Sequence, residues 1–571
     1  MYSARTYLVC FLVTIFVRAN AQVSTGAAVN PYQYGIQKTI TCSNGAVVSA
    51  HPLASKAGIS VLKQGGNAID AAIATQLALA VVYPGAGNIG GGGFMIARLQ
   101  SGKNLALDYR EKAPAAASRD MYLDSAGNPR MSLSEYGHLA SGVPGTVAGL
   151  FASLKYAKLP FKTLIAPAIE LAEKGFAITE AEAKSLNAIK NSLVKYNTVQ
   201  PVFVRDIAWK AGDTLIQKDL AATLRRIRDG GQKGFYEGET ARLIVEEMQR
   251  GKGLVTYEDL KNYAVKERTA LNFPYKGYRI VTMPLPSSGG IIIEQTMKMI
   301  EHKNIAQMGF ESVAAVHLMV EAERRAYADR AIFMGDADFV KVPVKKLTSD
   351  AYINKRMADF DPAKAGSSDL TKEGKINPES EETTHLSIID KYGNAVSVTT
   401  TLNGGYGSKT VTGRAGFFLN NEMDDFSVKP GVPNMYGALG AEANSIAPGK
   451  RMLSSMTPAI VLKNDKPYIV LGTPGGTTIP TSVYQTLVDM LEFNLSTADA
   501  VYKPKFHHQW KPDEIYVEKG FPETVITQLK AMGYKITERD HIGRTEVIKV
   551  LPNRKFEAVA DNRGDDAAEG Y

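Results

Sequence analysis

Thr383 is the residue of this chain best placed to do chemistry. A polar stretch ends at Glu382, and the residues that follow, Thr383-Thr384-His385-Leu386-Ser387-Ile388-Ile389-Asp390, turn abruptly into a strand pattern. If the Glu382–Thr383 bond breaks, Thr383 becomes an N-terminus. Its hydroxyl is then a nucleophile, and its α-amine, with an unperturbed pKa of about 7.7 to 8.0, can act as its own general base. Such a nucleophile needs donors for a developing oxyanion. Tyr468-Ile469-Val470-Leu471 reads as a strand running into Gly472-Thr473-Pro474-Gly475-Gly476 and then a helix-like Thr477 to Phe493. A glycine turn at a helix N-terminus aims backbone N–H groups at whatever lies in front of it.

The elements that must hold these groups are legible in outline. Leu386 to Asp390 and Ala395 to Leu402 predict a hairpin about Lys391-Tyr392-Gly393-Asn394. Upstream, Pro52 to Tyr83 predicts two helices joined at Gly65-Gly66-Asn67. The run Gly85-Ala86-Gly87-Asn88-Ile89-Gly90 matches a dinucleotide fingerprint formally, but it leaves a helix and enters a strand, Phe94 to Leu99, which turns back through Leu105 to Tyr109. That context excludes the nucleotide reading. Between about Leu150 and Phe360 the pattern is helical and poor in chemistry; Glu321, Glu323, Arg324 and Arg325 within Ser312 to Met334 read as a solvated or ion-paired helix face. From Ala363 to Glu382 the composition turns polar, as in a surface segment.

Composition bounds the rest. With 571 residues, 44% hydrophobic and 22% charged, the chain can bury a large core. The net charge is +8, or +6 once Arg5 and Arg18 of the leader are removed, and no long Lys/Arg run exists, which argues against nucleic acid as a partner. Arg5, the apolar Leu8 to Val17 and the small-residue exit Ala19-Asn20-Ala21 read as a cleaved secretory signal over residues 1–21; the alternative is a retained N-terminal membrane anchor, for which the apolar run is shorter than the ~20 residues a span needs. Export to the periplasm or the medium is therefore expected. Without the leader Cys42 is the sole cysteine, so neither an intrachain disulfide nor a cysteine metal site can form. His507-His508 lack a third ligand at useful spacing and read as structural. No cofactor or metal is expected.

Across nearly the whole mature chain the motifs resemble, in order, those of the γ-glutamyltranspeptidases (glutathione hydrolases), self-processing N-terminal nucleophile hydrolases. The matches are Gly65 to Ala72, Gly90 to Phe94, Leu107-Asp108-Tyr109-Arg110-Glu111, Gly142 to Thr146, Pro286 to Gly290, Thr383-Thr384-His385, Asn420 to Phe426, Leu453-Ser454-Ser455-Met456 and Pro474-Gly475-Gly476. Taken singly, Arg110 beside Glu111 reads equally as a surface ion pair and Asp424-Asp425 as a turn. The resemblance implies a four-layer αββα sandwich of the α+β class, made as one folded unit from a large fragment, 22–382, and a small one, 383–571, that stay together as a heterodimer.

It also implies roles. Thr383 would be the nucleophile in processing and turnover, supported by Thr401. Arg110, Ser454 and Ser455 would bind the substrate's α-carboxylate, and Asn403, Glu422 and Asp425 its α-ammonium. Gly475 and Gly476 would form the oxyanion hole, and Tyr436, within Pro430 to Gly449, would belong to a lid. A γ-glutamyl group carries a zwitterionic head remote from its scissile amide, so separate cationic and anionic contacts suit it. The implied substrates are glutathione and other γ-glutamyl compounds, with water or an amino acid or dipeptide as acceptor. The sequence departs from the family pattern at Asn403-Gly404-Gly405-Tyr406, where small hydroxyl residues more often follow the asparagine, and this bears on the acceptor side. Two rival readings are a cephalosporin or glutaryl acylase of the same architecture, which has no ammonium to bind, and an unprocessed binding protein.

Overall fold

In the computed structural model of the chain, residues 30–369 and 383–571 are described. The expected leader, Glu382 and the polar residues just before it lie outside them. The period-two pattern around Thr383 arises because its sheet is covered on both faces. In the strands Gly45–Ser49, Gly92–Arg98 and Thr384–Asp390, Val47, Met95, Leu386 and Ile388 point into one core. Their neighbours Val48, Phe94, Ile96 and Ile389 point into another. Alternation therefore sorts residues between two apolar environments rather than between core and water.

This sheet has seven antiparallel strands in the order Ala567–Gly570, Gly45–Ser49, Thr384–Asp390, Ala395–Thr401, Gly92–Arg98, Asn104–Asp108, Lys266–Arg268. A second seven-stranded antiparallel sheet runs Thr39–Cys42, Phe556–Val559, Glu546–Val550, Lys466–Gly472, Ala459–Lys463, Tyr278–Thr282, Leu271–Tyr275. Val48, Phe94 and Ile96 of the first sheet share one core with Val281, Ile460, Val470 and Ile548 of the second. Helices Pro52–Lys63 and Ala68–Val82 cover the outer face of the first sheet, while Gly289–Ile300, Val313–Phe333 and Ile479–Leu491 cover that of the second. The fold is thus the four-layer αββα sandwich. Both sheets contain strands from before and after position 383, so neither stretch has a sheet of its own.

Local chemistry accounts for several expected elements. The turn before Ala68–Val82 needs Gly65 at φ +94°, and Asn67 and Asp70 close a reciprocal cap: the Asn67 side chain accepts from Ile69 N–H at 2.9 Å, and Asp70 accepts from Asn67 N–H at 2.8 Å. The glycine run does leave a helix and enter the strand Gly92–Arg98, as the rejection of a nucleotide site requires. His507 and His508 are buried in hydrogen bonds, His507 to Thr481 at 2.9 Å and to Gln509 at 2.8 Å. Among the described residues no helix is long and apolar enough to cross a membrane.

Two expectations are corrected. The stretch from Leu150 to Phe360 is not only helical, because its strands Leu271–Tyr275 and Tyr278–Thr282 complete the second sheet; Pro274 and the polar positions Asn272 and Arg279 mask the pattern at that sheet edge. The charged face of Val313–Phe333 is ion-paired but not solvated. Glu321, Glu323, Arg324 and Arg325 are all buried. Glu321 pairs with Arg324 at 3.2 Å and with Arg325 at 2.5 Å, and Glu323 accepts from His508 N–H at 2.9 Å.

Candidate active site

Thr383 sits at the head of the strand Thr384–Asp390, and the antiparallel register Thr384↔Thr400 brings it beside the end of the neighbouring strand. The Thr401 hydroxyl donates to Thr383 Oγ1 at 3.5 Å and accepts from the Asn403 N–H at 2.8 Å. Asn403 adopts φ +75°, a left-handed turn that folds its amide back onto Thr401. Thr383 is 4% exposed, and that remnant opens into a narrow cavity.

The far wall of the second sheet delivers the glycine turn. After the strand Lys466–Gly472, Gly475 at φ +137° and Gly476 at φ +52° carry the chain into a short 3-10 turn and the helix Ile479–Leu491. Among the described residues the N–H groups of both glycines find no hydrogen-bond acceptor. A Cβ on Gly476 would also meet the Tyr436 ring at 2.7 Å. Gly476 and Thr477 line the cavity; Gly475 stands one residue behind its wall. Tyr327 of the helix Val313–Phe333 donates its hydroxyl to the Thr477 carbonyl, bracing the turn from behind.

Arg110 follows the strand Asn104–Asp108 and is 1% exposed. Its Nη1 lies 2.7 Å from Glu422 Oε2 and its Nη2 donates to Asp425. Glu111 stands 3.9 Å away on the same guanidinium. The Glu422 contact is one of ion-pair distance without hydrogen-bond alignment, leaving both its oxygens unsatisfied. One cation therefore faces three carboxyls, of which Glu111 and Glu422 are fully buried and Asp425 lines the cavity. Burial pushes all three up, Glu111 to about 8 and Glu422 well above the usual carboxylate range, while Arg110 pulls each of them back. Such a cluster favours the arrival of a further cation.

Ser454 and Ser455 lie on the facing wall. Ser454 is fixed by its backbone, donating from N–H to the Pro286 carbonyl at 2.8 Å and accepting on its carbonyl from Ser288. The conspicuous turn Pro284 to Gly290 is thus the clamp for this serine pair. Ser455 Oγ accepts from Arg330 Nη2 at 3.3 Å. Arg330 is a cavity residue that sequence reasoning missed, being one of several charged positions on Val313–Phe333 with no local signal to single it out.

Tyr436 closes the cavity. Its hydroxyl donates to the Asn403 carbonyl at 2.7 Å and its ring lies over Gly476. Two further residues tie down the same loop: Asn434, also in the cavity wall, donates to Asp425 at 3.1 Å, and Met435 N–H donates to Asp424 at 2.9 Å. Asp424 is buried away from the cavity, and burial pushes it up to about 7. Thus the structure gathers Thr383, Thr401, Asn403, Arg110, Asp425, Ser454, Ser455, Gly476 and Tyr436 about one cavity. Glu422 stands directly behind Arg110. The arrangement can present a hydroxyl nucleophile between backbone donors on one side and a mixed-charge pocket on the other.

Comparison with known proteins gives a consistent answer. Residues 54–571 match the family model for gamma-glutamyltranspeptidase. A glutathione hydrolase proenzyme of Escherichia coli strain K12 is 44% identical over 550 residues, covering 95% of both chains. The solved gamma-glutamyltranspeptidase of Helicobacter pylori is 45% identical, with a TM-score of 0.56, over 60% of this chain and 96% of that one. A cephalosporin acylase from Bacillus halodurans superposes with a TM-score of 0.81 at 27% identity, covering 95% of this chain and 98% of that one.

Proposed function

The chain belongs to the gamma-glutamyltranspeptidase family, and from that premise we propose that it is a self-processing γ-glutamyl transferase and glutathione hydrolase working through Thr383. The observation that carries the reading is the position of the Thr383 hydroxyl, 3.5 Å from that of Thr401, in the wall of a cavity that Arg110, Asp425 and Gly476 also line. In processing, the Thr383 hydroxyl attacks the Glu382 carbonyl, the acyl group shifts from nitrogen to oxygen, and water cleaves the ester. This frees the α-amine of Thr383 and leaves two fragments, 22–382 and 383–571, held as a heterodimer by the strands they share. The leader, residues 1–21, directs export.

In turnover the freed amine takes the hydroxyl proton as Thr383 Oγ1 attacks the γ-carbonyl of glutathione or a related compound. The developing oxyanion is met by the N–H groups of Gly475 and Gly476. Collapse breaks the amide, the departing amine takes the proton, and the glutamyl ester remains on Thr383. Water or an acceptor amine then attacks that ester. Arg110, Ser454 and Ser455 hold the α-carboxylate, while Asn403, Glu422 and Asp425 hold the α-ammonium.

The acylase-like neighbour favours a second reading, hydrolysis of a glutaryl amide. Glu422, Asp425 and Glu111 weigh against it, because a glutaryl chain brings no cation to three buried carboxyls. The test is the intact mass of the purified protein under denaturing conditions beside Thr383→Ala, followed by cleavage of γ-glutamyl-p-nitroanilide. Two wild-type fragments, one beginning at Thr383, a single uncut mutant chain and release of nitroaniline by wild type alone are expected. A single uncut wild-type chain would sink the mechanism.

A further inference from the structure

Six arginines of the described structure are buried: Arg98, Arg110, Arg324, Arg325, Arg330 and Arg451. Five of them have a carboxylate within ion-pair distance, namely Asp465, Glu422, Asp513, Glu321 and Asp108 respectively. Arg330 does not. Its guanidinium donates only to two hydroxyls, from Nε to Ser288 Oγ at 3.1 Å and from Nη2 to Ser455 Oγ at 3.3 Å. Ser288 in turn spends its own proton on the Ser454 carbonyl at 2.7 Å, so it is held as an acceptor for Arg330.

A buried charge without a close counter-ion costs up to several kcal/mol, and burial does act to weaken the charged form of Arg330, with Asp425 opposing it only from beyond ion-pair distance. A protein keeps such a group where a ligand completes it. Arg330 lines the Thr383 cavity at 7% exposure, next to the serine pair, whereas Arg110 is already engaged by Glu422 and Asp425. We infer that Arg330 is a second guanidinium for the substrate's α-carboxylate, completing the subsite that Ser454, Ser455 and Arg110 outline. This rests on the γ-glutamyl reading above and deepens it. Arg110 and Arg330 then line the cavity with Asp425, while Glu111 and Glu422 stand behind Arg110, and a zwitterionic head adds one charge of each sign. An acyl group without the carboxylate would leave Arg330 unpaired, and so be rejected.

The test compares γ-glutamyl-p-nitroanilide with 4-aminobutyryl-p-nitroanilide, which is the same donor lacking the α-carboxylate, in wild type, Arg330→Met and Arg330→Lys. Intact mass first confirms self-cutting in each. In Arg330→Met, kcat/KM for the glutamyl donor should fall about 10- to 100-fold, the range for a charge-assisted contact. The 4-aminobutyryl donor should change less than about two-fold. Arg330→Lys should recover part of the loss, and the Tm of Arg330→Met should hold or rise, since an unpaired buried charge has gone. Equal losses on both donors with a lowered Tm would make Arg330 a purely structural residue and overturn the inference, as would failure of both variants to cut themselves. A wild type inactive on the glutamyl donor would overturn the functional reading itself, and the inference with it.

Discussion

Replacing Asp425 by asparagine tests the proposed ammonium subsite at the point where the geometry is most specific. Asp425 takes the Arg110 Nη2 contact on one oxygen and the Asn434 side chain, at 3.1 Å, on the other. In Asp425→Asn the amide oxygen can still accept from Asn434, which turns the amide nitrogen toward Arg110 and removes one anion from the cavity wall. A hydrogen bond to a charged group is worth about 1.5–3 kcal/mol, so kcat/KM for γ-glutamyl-p-nitroanilide should fall about 10- to 150-fold. Most of the loss belongs in KM, because the head group is bound equally in ground and transition states.

The control is glutaryl-p-nitroanilide, which has the carboxylate but no ammonium. It gains nothing from Asp425 and suffers from the surplus of carboxyls, so its kcat/KM should hold or rise, and the preference for the glutamyl donor should shrink by at least the same factor. Both donors are assayed on protein whose self-cutting has been checked by mass. Equal losses on the two donors would refute the reasoning, because the effect would then come from a disturbed Arg110 rather than from a lost ammonium partner. An unchanged glutamyl KM would refute it as plainly.

Three further outcomes follow from other contacts. Gly476→Ala should lower kcat at least about ten-fold, since a side chain at φ +52° costs about 1 kcal/mol or more and its Cβ would sit 2.7 Å from the Tyr436 ring, displacing an oxyanion donor and the lid together; steady-state kinetics decide, and an unchanged kcat would show that the ring does not rest on this turn. Thr401→Val should reduce kcat about 10- to 100-fold with little change in KM, because it removes the donor to Thr383 and orphans the Asn403 N–H, at a cost of about 1–3 kcal/mol. Asp424, pushed up to about 7 by burial, has a folded pKa above its unfolded value of about 3.9. The folded state therefore holds the extra proton, and the stability it contributes is full below about pH 4 and lost as pH rises to about 7. Asp424→Asn mimics the protonated form, so its Tm should fall less than that of wild type between pH 5 and 7.5 in scanning calorimetry; parallel curves would show that Asp424 does not titrate there.

The sheet around Thr383 was legible because its signal is local: a polar run, a threonine, two strands of period two and a four-residue turn. The same holds for the capped helix at Asn67 and for the glycine turn before Ile479–Leu491. What the sequence could not display is adjacency across the sandwich. Leu271–Tyr275 and Tyr278–Thr282 complete the second sheet but are interrupted by Pro274 and by solvated Asn272 and Arg279, so their strand pattern is weak. Glu321 and Arg325 have the spacing of an exposed helix ladder, and only the packing of Tyr534 and the segment after Asp361 over them makes the ladder a buried one. Arg330 differs from its neighbours on that helix in nothing but the two serines that the fold brings to it, from Pro284 to Gly290 and from Leu453 to Met456.

The neighbouring carboxyls Asp424 and Asp425 divide one task in a way that bears on the order of events. Asp425 faces the cavity and holds Asn434; Asp424 faces away and holds the Met435 N–H. Both partners lie in the loop that carries Tyr436, whose hydroxyl reaches the carbonyl of Asn403, itself two residues from Thr401. Asp425, the Tyr436 loop and Thr401 thus share one chain of hydrogen bonds, which joins the proposed ammonium subsite to the proposed nucleophile. On the proposed function, a glutamyl head that engages Asp425 would act on one of the carboxylates that hold the Tyr436 loop, so head-group binding and loop position would be linked. A ligand shifts such an equilibrium only by what it binds differently in the two positions, and Asp425 is where that difference is made. On the proposed function, the pocket that selects the glutamyl head would also bear on how long its ester is kept from hydrolysis.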